Sequence, residues 1–431
     1  MTAFRNAPVS DSRSDLLLRA RIALPLTQPP IPDAGVLVRR GRIRAVGRWR
    51  DLAAHQPKRT LDLGDAILMP GLVNAHCHLD YTDMAGCFPP PKVFSDWLKL
   101  ITEAKAGWNR GDYLQSWIRG AKMLLRSGTT TVADIEAVPE LLPEVWKSTP
   151  LRVFSLLELI GIRSQRQPNA IVEEALARLS ALKPLRGGIG LSPHAPYSTV
   201  PKLLQCGARA ARRHRWPLCI HVAESALEYQ MFNCARGTMF DWLQRSGRDM
   251  SDCGRGSPVQ HLKRCGALSD GLLAAHANYL GKGDPALLAR HGVHVVHCPR
   301  CHEYFHHDKF PLRRLLKAGV NVCLGTDSLA SVLKSRKQQV ELSLFEEMRA
   351  LGKRAPWLSP GRIIAMATVN GARALGLQGR VGEIAPGAYA DLVAIPFAGK
   401  FRDACAAVAQ HAGPVSASMI NGEWAIAPAA K

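Results

Sequence analysis

Along the chain, short apolar runs alternate with longer stretches whose apolar positions return every three to four residues, the alternation of buried strands with amphipathic helices. The strand-like runs fall at residues 68–75, 129–134, 152–159, 189–192, 218–222, 271–275, 294–297 and 321–325. Helical stretches such as 113–126, 171–182, 201–213 and 311–318 separate them. Strand and helix repeating in this way over about 250 to 300 residues, without long low-complexity linkers, has the size and order of a closed parallel barrel. A doubly wound open sheet is the alternative, but no Gly-x-Gly-x-x-Gly follows an early strand, so dinucleotide binding has little support. Outside the repeat, 15–23 and 34–46 read as strands around the Pro29-Pro30 turn, with a hairpin-like break at Gly41. Near the other end, 381–395 and 416–426 read as strands separated by Pro-Gly turns. The expected fold is α/β: a distorted (β/α)8 TIM barrel over 68–378, with a small composite β-sandwich built from 1–67 and 379–431. Residues 1 to about 13 are polar and expected to fray.

Barrel enzymes carry their chemistry at the C-terminal ends of the strands, so the polar residues at those ends are the candidates. The run from Met69 ends in His76-Cys77-His78, and side chains two apart on a strand share a face, a geometry that suits two ligands on one metal ion. The fourth strand ends in Ser192-Pro193-His194 and the fifth in His221-Val222-Ala223-Glu224. The sixth ends in Ala275-His276 and the eighth in Gly325-Thr326-Asp327-Ser328. A lone histidine or aspartate at such a place is more often structural than chemical. Six of them at the ends of five separate apolar strands reverse that balance.

Composition changes the picture little. With 47% hydrophobic and 21% charged residues the chain reads as globular. No apolar run reaches 18 residues, and Leu16-Leu17-Leu18 is interrupted by Arg19 and Arg21 before it could serve as a signal-peptide core, so a cytoplasmic location without membrane association is expected. Eleven cysteines, scattered and odd in number, point to reduced thiols. The formal charge of +21 is the one feature that suggests nucleic acid or an acidic ligand. Its basic residues, as in 39–42, 212–215 and 334–337, are spread without a long basic tail or interleaved aromatics, which favours a solvated surface and disfavours nucleic acid.

The motifs together resemble the amidohydrolase superfamily, within it the metal-dependent aminohydrolases and chlorohydrolases, of adenosine-deaminase or aminodeoxyfutalosine-deaminase type. The resemblance runs over nearly the whole chain. It is carried by Pro70-Gly71-Leu72-Val73-Asn74-Ala75-His76-Cys77-His78, Ser192-Pro193-His194-Ala195-Pro196-Tyr197, His221-Val222-Ala223-Glu224, His297-Cys298-Pro299-Arg300, Gly325-Thr326-Asp327-Ser328 and, late, Ala385-Pro386-Gly387 before Ala390-Asp391-Leu392. It implies that His76, His78, His221 and Asp327 bind one divalent metal, that Glu224 and His276 lie beside its water, and that His194 faces the substrate.

Three imidazoles and a carboxylate suit Zn²⁺, with Fe²⁺ as the alternative. In that frame Asp327 takes the water's proton, Glu224 shuttles a proton to a ring nitrogen and then one to the leaving amine, and His276 polarises the new oxygen. Binuclear members of the superfamily usually carry a carboxylated lysine on strand three or four, and none stands at 153–160 or 187–192, so a mononuclear centre is expected. Trp97 is a candidate for stacking on a planar ring or a core aromatic, and Glu158 is a candidate for a sugar hydroxyl. Arg300, His302, His306 and His307 lie on a loop expected to overhang the site, where they either contact substrate or are solvated. Cys298-x-x-Cys301-His302 matches a haem-attachment pattern, but a haem there would block the barrel mouth, and Cys301 stands where related enzymes commonly have serine. The zinc nucleic-acid deaminase signature lacks its His-x-Glu half.

The expectation is an enzyme acting on C–N bonds other than peptide bonds, which deaminates a purine-like nucleoside or related heterocycle, with adenosine-type compounds or 6-aminodeoxyfutalosine favoured. The same water would serve a chlorohydrolase or a cyclic amidohydrolase. The reading from another class is a basic nucleic-acid- or anion-binding protein on an inactive barrel. The expected partners are a small-molecule substrate and water, with a homodimer allowed.

Overall fold

The computed structural model describes residues 15–162, 167–334 and 339–429; the polar start and part of the basic run at 334–337 lie outside them. The chain opens with β1 (Leu16–Ala23), β2 (Ile31–Arg39), β3 (Arg42–Arg48), β4 (Arg59–Asp62) and β5 (Ala66–Pro70). β1 pairs antiparallel with β2 and parallel with β4 and β5. The break expected at Gly41 is the β2–β3 turn, where Arg40 and Gly41 take φ of 51° and 72°. A Cβ at Gly41 would also lie 2.5 Å from the Asn421 carbonyl oxygen, so the glycine answers both a backbone and a packing demand.

Next come β6 (Leu72–Cys77), β7 (Thr129–Glu136), β8 (Arg152–Leu159), β9 (Gly187–Pro193), β10 (Leu218–Val222), β11 (Leu272–His276), β12 (His294–His297) and β13 (Asn321–Leu324). Each is parallel to its neighbours in sequence order, and a parallel bridge between Cys77 and Asp327 brings the last back to the first. This is the expected eight-stranded barrel. The chain ends with β14 (Leu392–Pro396), β15 (Ala417–Ile420) and β16 (Glu423–Ile426). β14 lies antiparallel to β5, so both termini build one mixed sheet in the order β16-β15-β14-β5-β1-β2-β3, with β4 on β1.

Three of the extended runs divide differently from the sequence expectation, beyond shifts of a few residues elsewhere. The apolar run 68–75 is two strands: β5 completes the terminal sheet and β6 begins the barrel. Both are buried on every side, so no periodicity marks the change. The crossing is at Gly71, where a Cβ would fall 2.1 Å from Thr130 Oγ1. The run 381–395 is extended only from Leu392, because Gly382 and Gly387 turn the chain with φ of 77° and 93°. The run 416–426 is a hairpin about Asn421-Gly422, both at positive φ, as the commonest two-residue hairpin turn requires.

The expected helix at 113–126 starts earlier, at Arg110. Asn109 accepts from the Gly111 and Asp112 amides at 2.7 and 3.3 Å, while the Asp112 carboxylate accepts from the Asn109 amide at 2.9 Å, a reciprocal cap. Its buried Trp117 donates its indole N–H to Asp134 Oδ2 and Glu136 Oε1 at 2.7 and 2.9 Å. No helix among the described residues is long and apolar enough to cross a membrane.

One buried ion pair ties the barrel to the terminal sheet. Arg152, at the start of β8, donates to Asp391 Oδ2 at 3.2 Å and to Asn421 Oδ1 at 2.7 Å, and lies 4.4 Å over the Tyr389 ring. Asp391 is fully buried and also accepts from the Asn421 amide at 2.8 Å. Removing one partner of such a pair leaves a buried charge uncompensated. Arg152→Met is therefore expected to destabilise the protein by about 3 to 5 kcal/mol, and adding Asp391→Leu to recover much of that. Urea denaturation measures both; a single variant as stable as the parent would refute the account.

Candidate metal and catalytic centre

The strand ends converge as expected. On β6, Asn74 and His76 share the inward face, and His78 continues it one residue past the strand. The His76 carbonyl oxygen accepts from the Thr326 and Asp327 amides at 3.0 and 3.1 Å, which draws the turn after β13 against β6. Gly325 makes this approach feasible, since a Cβ there would lie 2.7 Å from that same oxygen. Asp327 takes φ of 54°, uncommon for a residue with a side chain. Its Oδ1 ends 3.6 Å from both His76 Nε2 and His78 Nε2. Ser331 donates to its other oxygen at 3.2 Å.

His221 joins this group from β10, its ring centroid 4.8 Å from that of His76 and 5.5 Å from that of His78. Its Nδ1 lies 2.9 Å from the His194 carbonyl oxygen, which can only accept, so Nδ1 carries the proton and Nε2 keeps its lone pair free. The donor atoms of His76, His78 and Asp327 lie within 4.8 Å of one another, and so do those of His76, His221 and His276. His276, read from the sequence as catalytic, is thus as close to this group as a ligand would be. The Nε2 atoms of His76 and His276 are buried with no hydrogen-bond partner.

The charges at this centre are shaped by burial. Burial lowers His78 and His276 to about 3, and His221 well below its ordinary value, leaving three neutral imidazoles. Burial also acts against a charged His76, but the Asp327 carboxylate 3.6 Å away and the Cys219 thiol beside Nδ1 outweigh it and lift His76 to about 10. For Asp327, burial is likewise overcome by His76 and the other imidazoles, which hold it well below the usual carboxylate range. A buried carboxylate that draws a proton onto its neighbour is short of positive charge. Together with the orphaned ring nitrogens, this donor set fits a divalent cation.

Beside it, Glu224 Oε1 lies 3.6 Å from His276 Nε2. Burial, then the nearby charges of Asp327 and Glu228, hold the Glu224 carboxyl protonated well above the ordinary range. On the far side, Glu158 Oε1 at the end of β8 lies 3.9 Å from His194 Nε2. Glu158 is drawn below its ordinary value, burial being overcome chiefly by His194 and Lys105. Trp97 packs against Phe94 and Phe305 at ring separations of 6.3 and 5.1 Å, in a wall that reaches His194 through Tyr197.

Arg300, expected as a substrate-binding candidate, is engaged within the protein. Its side chain is committed to the buried Glu347 and to the Glu341 carbonyl oxygen, at 2.9 Å from the latter, so it ties the short helix that follows β12 to a neighbouring one. His302 and His307 are buried to different degrees beside it, and His306 is exposed.

Several contributors were not read from the sequence. Asn74 and Thr326 exchange two hydrogen bonds, at 2.8 and 3.1 Å, across the barrel seam. Asn278 donates to the Glu224 carbonyl oxygen at 2.9 Å. Glu228 accepts from the Ala223 and Glu224 amides at 3.1 and 2.8 Å, fixing the turn that carries Glu224. The spacing Ser225-x-x-Glu228 was a usable signal of a helix start, and Ser225 does accept from the Glu228 amide at 3.1 Å.

The family model for the Amidohydrolase family matches residues 67–425, most of the chain. The chain belongs to the amidohydrolase family. It is a hydrolase acting on C–N bonds. Among this amidohydrolase's relatives is a 5-methylthioadenosine/S-adenosylhomocysteine deaminase from Syntrophobacter fumaroxidans, 34% identical over 415 residues that cover 90% of this chain and 86% of that protein. An adenosine deaminase from Xanthomonas campestris, solved with bound zinc, superposes with a TM-score of 0.81 at 26% identity, covering 96% of this chain and 93% of that one. An aminofutalosine deaminase from Helicobacter pylori, solved with methylthio-coformycin, shares the fold with a TM-score of 0.82 at 22% identity, covering 95% and 99%.

The stability that Glu228 contributes depends on pH. Burial, opposed by its backbone hydrogen bonds, pushes its carboxyl from 4.5 up to about 8. The folded state therefore keeps a proton that the unfolded chain releases, a contribution fully present below pH 4.5 and lost as the pH rises through 8. Stability of the parent minus that of Glu228→Gln should fall between pH 5 and 8. Denaturant titrations at both ends of that range check it, and a difference that stays level or grows would contradict the assignment.

Proposed function

We propose that this amidohydrolase removes an exocyclic amine from a purine-like nucleoside, with adenosine-type compounds or 6-aminodeoxyfutalosine favoured as substrates. The observation that carries the reading is the Glu224–His276 pair, 3.6 Å apart and buried beside four convergent donors. The kinship at 34% identity with a 5-methylthioadenosine/S-adenosylhomocysteine deaminase supports the substrate class. His76, His78, His221 and Asp327 would hold one ion, with Zn²⁺ favoured over Fe²⁺ by the nitrogen-rich donor set. When bound, that ion supplies Lewis acidity, lowering the pKa of a water from about 15.7 towards 7.

The chain's own residues do the rest. Attack of water on an aromatic C–NH₂ carbon makes that carbon tetrahedral and needs a proton on the adjacent ring nitrogen. Glu224, held protonated by burial, is placed to give it. Asp327 accepts one proton of the attacking water and the new hydroxyl gives up the other as the C–N bond breaks; one of these reaches the amine by way of Glu224, so that it leaves as ammonia, and the other restores the proton on Glu224. His276, neutral and with its Nε2 buried and unpartnered, would polarise the oxygen that forms on the attacked carbon. His194 and Glu158 offer a paired donor and acceptor for a sugar hydroxyl, and Trp97 belongs to the aromatic wall beside them.

Two outcomes test this reading. Zinc-loaded protein offered adenosine, 5-methylthioadenosine, S-adenosylhomocysteine, 6-aminodeoxyfutalosine, pterins and triazines should release ammonia from one or more of the first four; release from none of those four, or chloride release alone, would sink it. Glu224→Gln should keep its metal and lose about 10² to 10⁴ of turnover, mostly in kcat, because glutamine can hydrogen-bond but cannot give and retake a proton. Elemental analysis beside steady-state kinetics decides the second: loss of the metal would make Glu224 a ligand, and near-normal turnover would place the shuttle elsewhere.

A further inference from the structure

A second donor group adjoins the first. After β12 the chain turns into a short helix, Pro299–Tyr304, whose third residue is Cys301, 1% exposed. The donor atoms of Cys301, Glu224 and His276 lie within 4.8 Å of one another, and all three residues are buried. His276 Nε2 faces the group with no hydrogen-bond partner. The proposed reaction uses Glu224 and His276 but has no role for the thiol. A thiol, an imidazole and a carboxyl converging on one buried point form a soft, mixed donor set suited to Zn²⁺ or Co²⁺, and unsuited to Mg²⁺ or Ca²⁺.

We propose that Cys301, His276 and Glu224 form a second, weaker site for a thiophilic divalent ion, which fills when metal is in excess and stops turnover. As the ion binds, the Cys301 S–H bond breaks, a sulfur–metal bond forms and the proton passes to solvent; the Glu224 proton leaves in the same way. Burial and the flanking Asp327 carboxylate hold the free thiol protonated. Occupation takes away the two groups that handle protons and oxygen in the reaction, so the inhibitory half of the proposal rests on the deaminase reading. Binding itself does not.

Chelator-stripped protein titrated with CoCl₂ tests both halves, with bound cobalt per chain measured by elemental analysis at each step. The first equivalent is expected to bind without a thiolate-to-cobalt absorption band in the near ultraviolet. A second equivalent should bring up that band and abolish ammonia release from the best substrate. Cys301→Ser and Cys301→Ala should each take up the first equivalent and lose both the second equivalent and the band. Saturation of the parent at one equivalent with no band would overturn the proposal, as would a band that persists in Cys301→Ser. If no substrate is turned over while the second equivalent and its band appear as expected, the deaminase reading fails and the site stands. If turnover is normal and unaffected by a second equivalent that does bind, the inhibitory role fails alone.

Discussion

The centre depends on how the barrel closes. Asn74 and Thr326, 252 residues apart in sequence, bond to each other across the seam, and the His76 carbonyl oxygen takes the amides of Thr326 and Asp327 beside them. This contact between the first and last barrel strands sets an aspartate from one against two histidines from the other. It works only because Gly325 has no side chain and because Asp327 accepts a left-handed backbone. Disturbing the seam would move every donor on one side of the centre relative to those on the other.

Concentrating so many polar groups in a barrel interior is costly unless each is neutral, paired or bonded. The structure uses all three solutions. His78, His221 and His276 are held neutral by burial; Asp327 is the charged group, and His76 answers it. Glu224 keeps its proton, as does Glu228, which satisfies two backbone amides at the same time. Nearby, Asp134 and Glu136 share the Trp117 indole N–H. The resulting field keeps the Glu224 carboxyl loaded with a proton within reach of the Asp327 charge, a disposition suited to chemistry that must both remove and deliver protons.

The terminal sheet holds the barrel from its other end. β5 and β6 are consecutive, so the first ligand strand is continuous with the sheet that both termini build, and Arg152 bonds Asp391 and Asn421 across the same junction. The strand that carries His76 and His78 is thereby anchored at its N-terminal end by β14 and β1, while its C-terminal end is free to carry the ligands.

The barrel, the composite terminal sheet and the positions of His76, His78, His194, His221, Glu224, His276 and Asp327 at strand ends were legible in the chain alone, because strand order and a period of two are local properties of sequence. What the sequence left open depends on contacts between distant segments. A run buried on every side hides the division at Gly71, since both strands are equally apolar. Arg300 stands in a motif beside the site, yet Glu347, some 47 residues further on, claims its guanidinium. Cys301 matches a haem-attachment pattern only by accident, and its place beside Glu224 and His276 is set by the helix after β12. The free Nε2 of His221 and the proton held on Glu224 follow from a carbonyl oxygen, a degree of burial and a neighbouring charge, and only the folded chain brings these together.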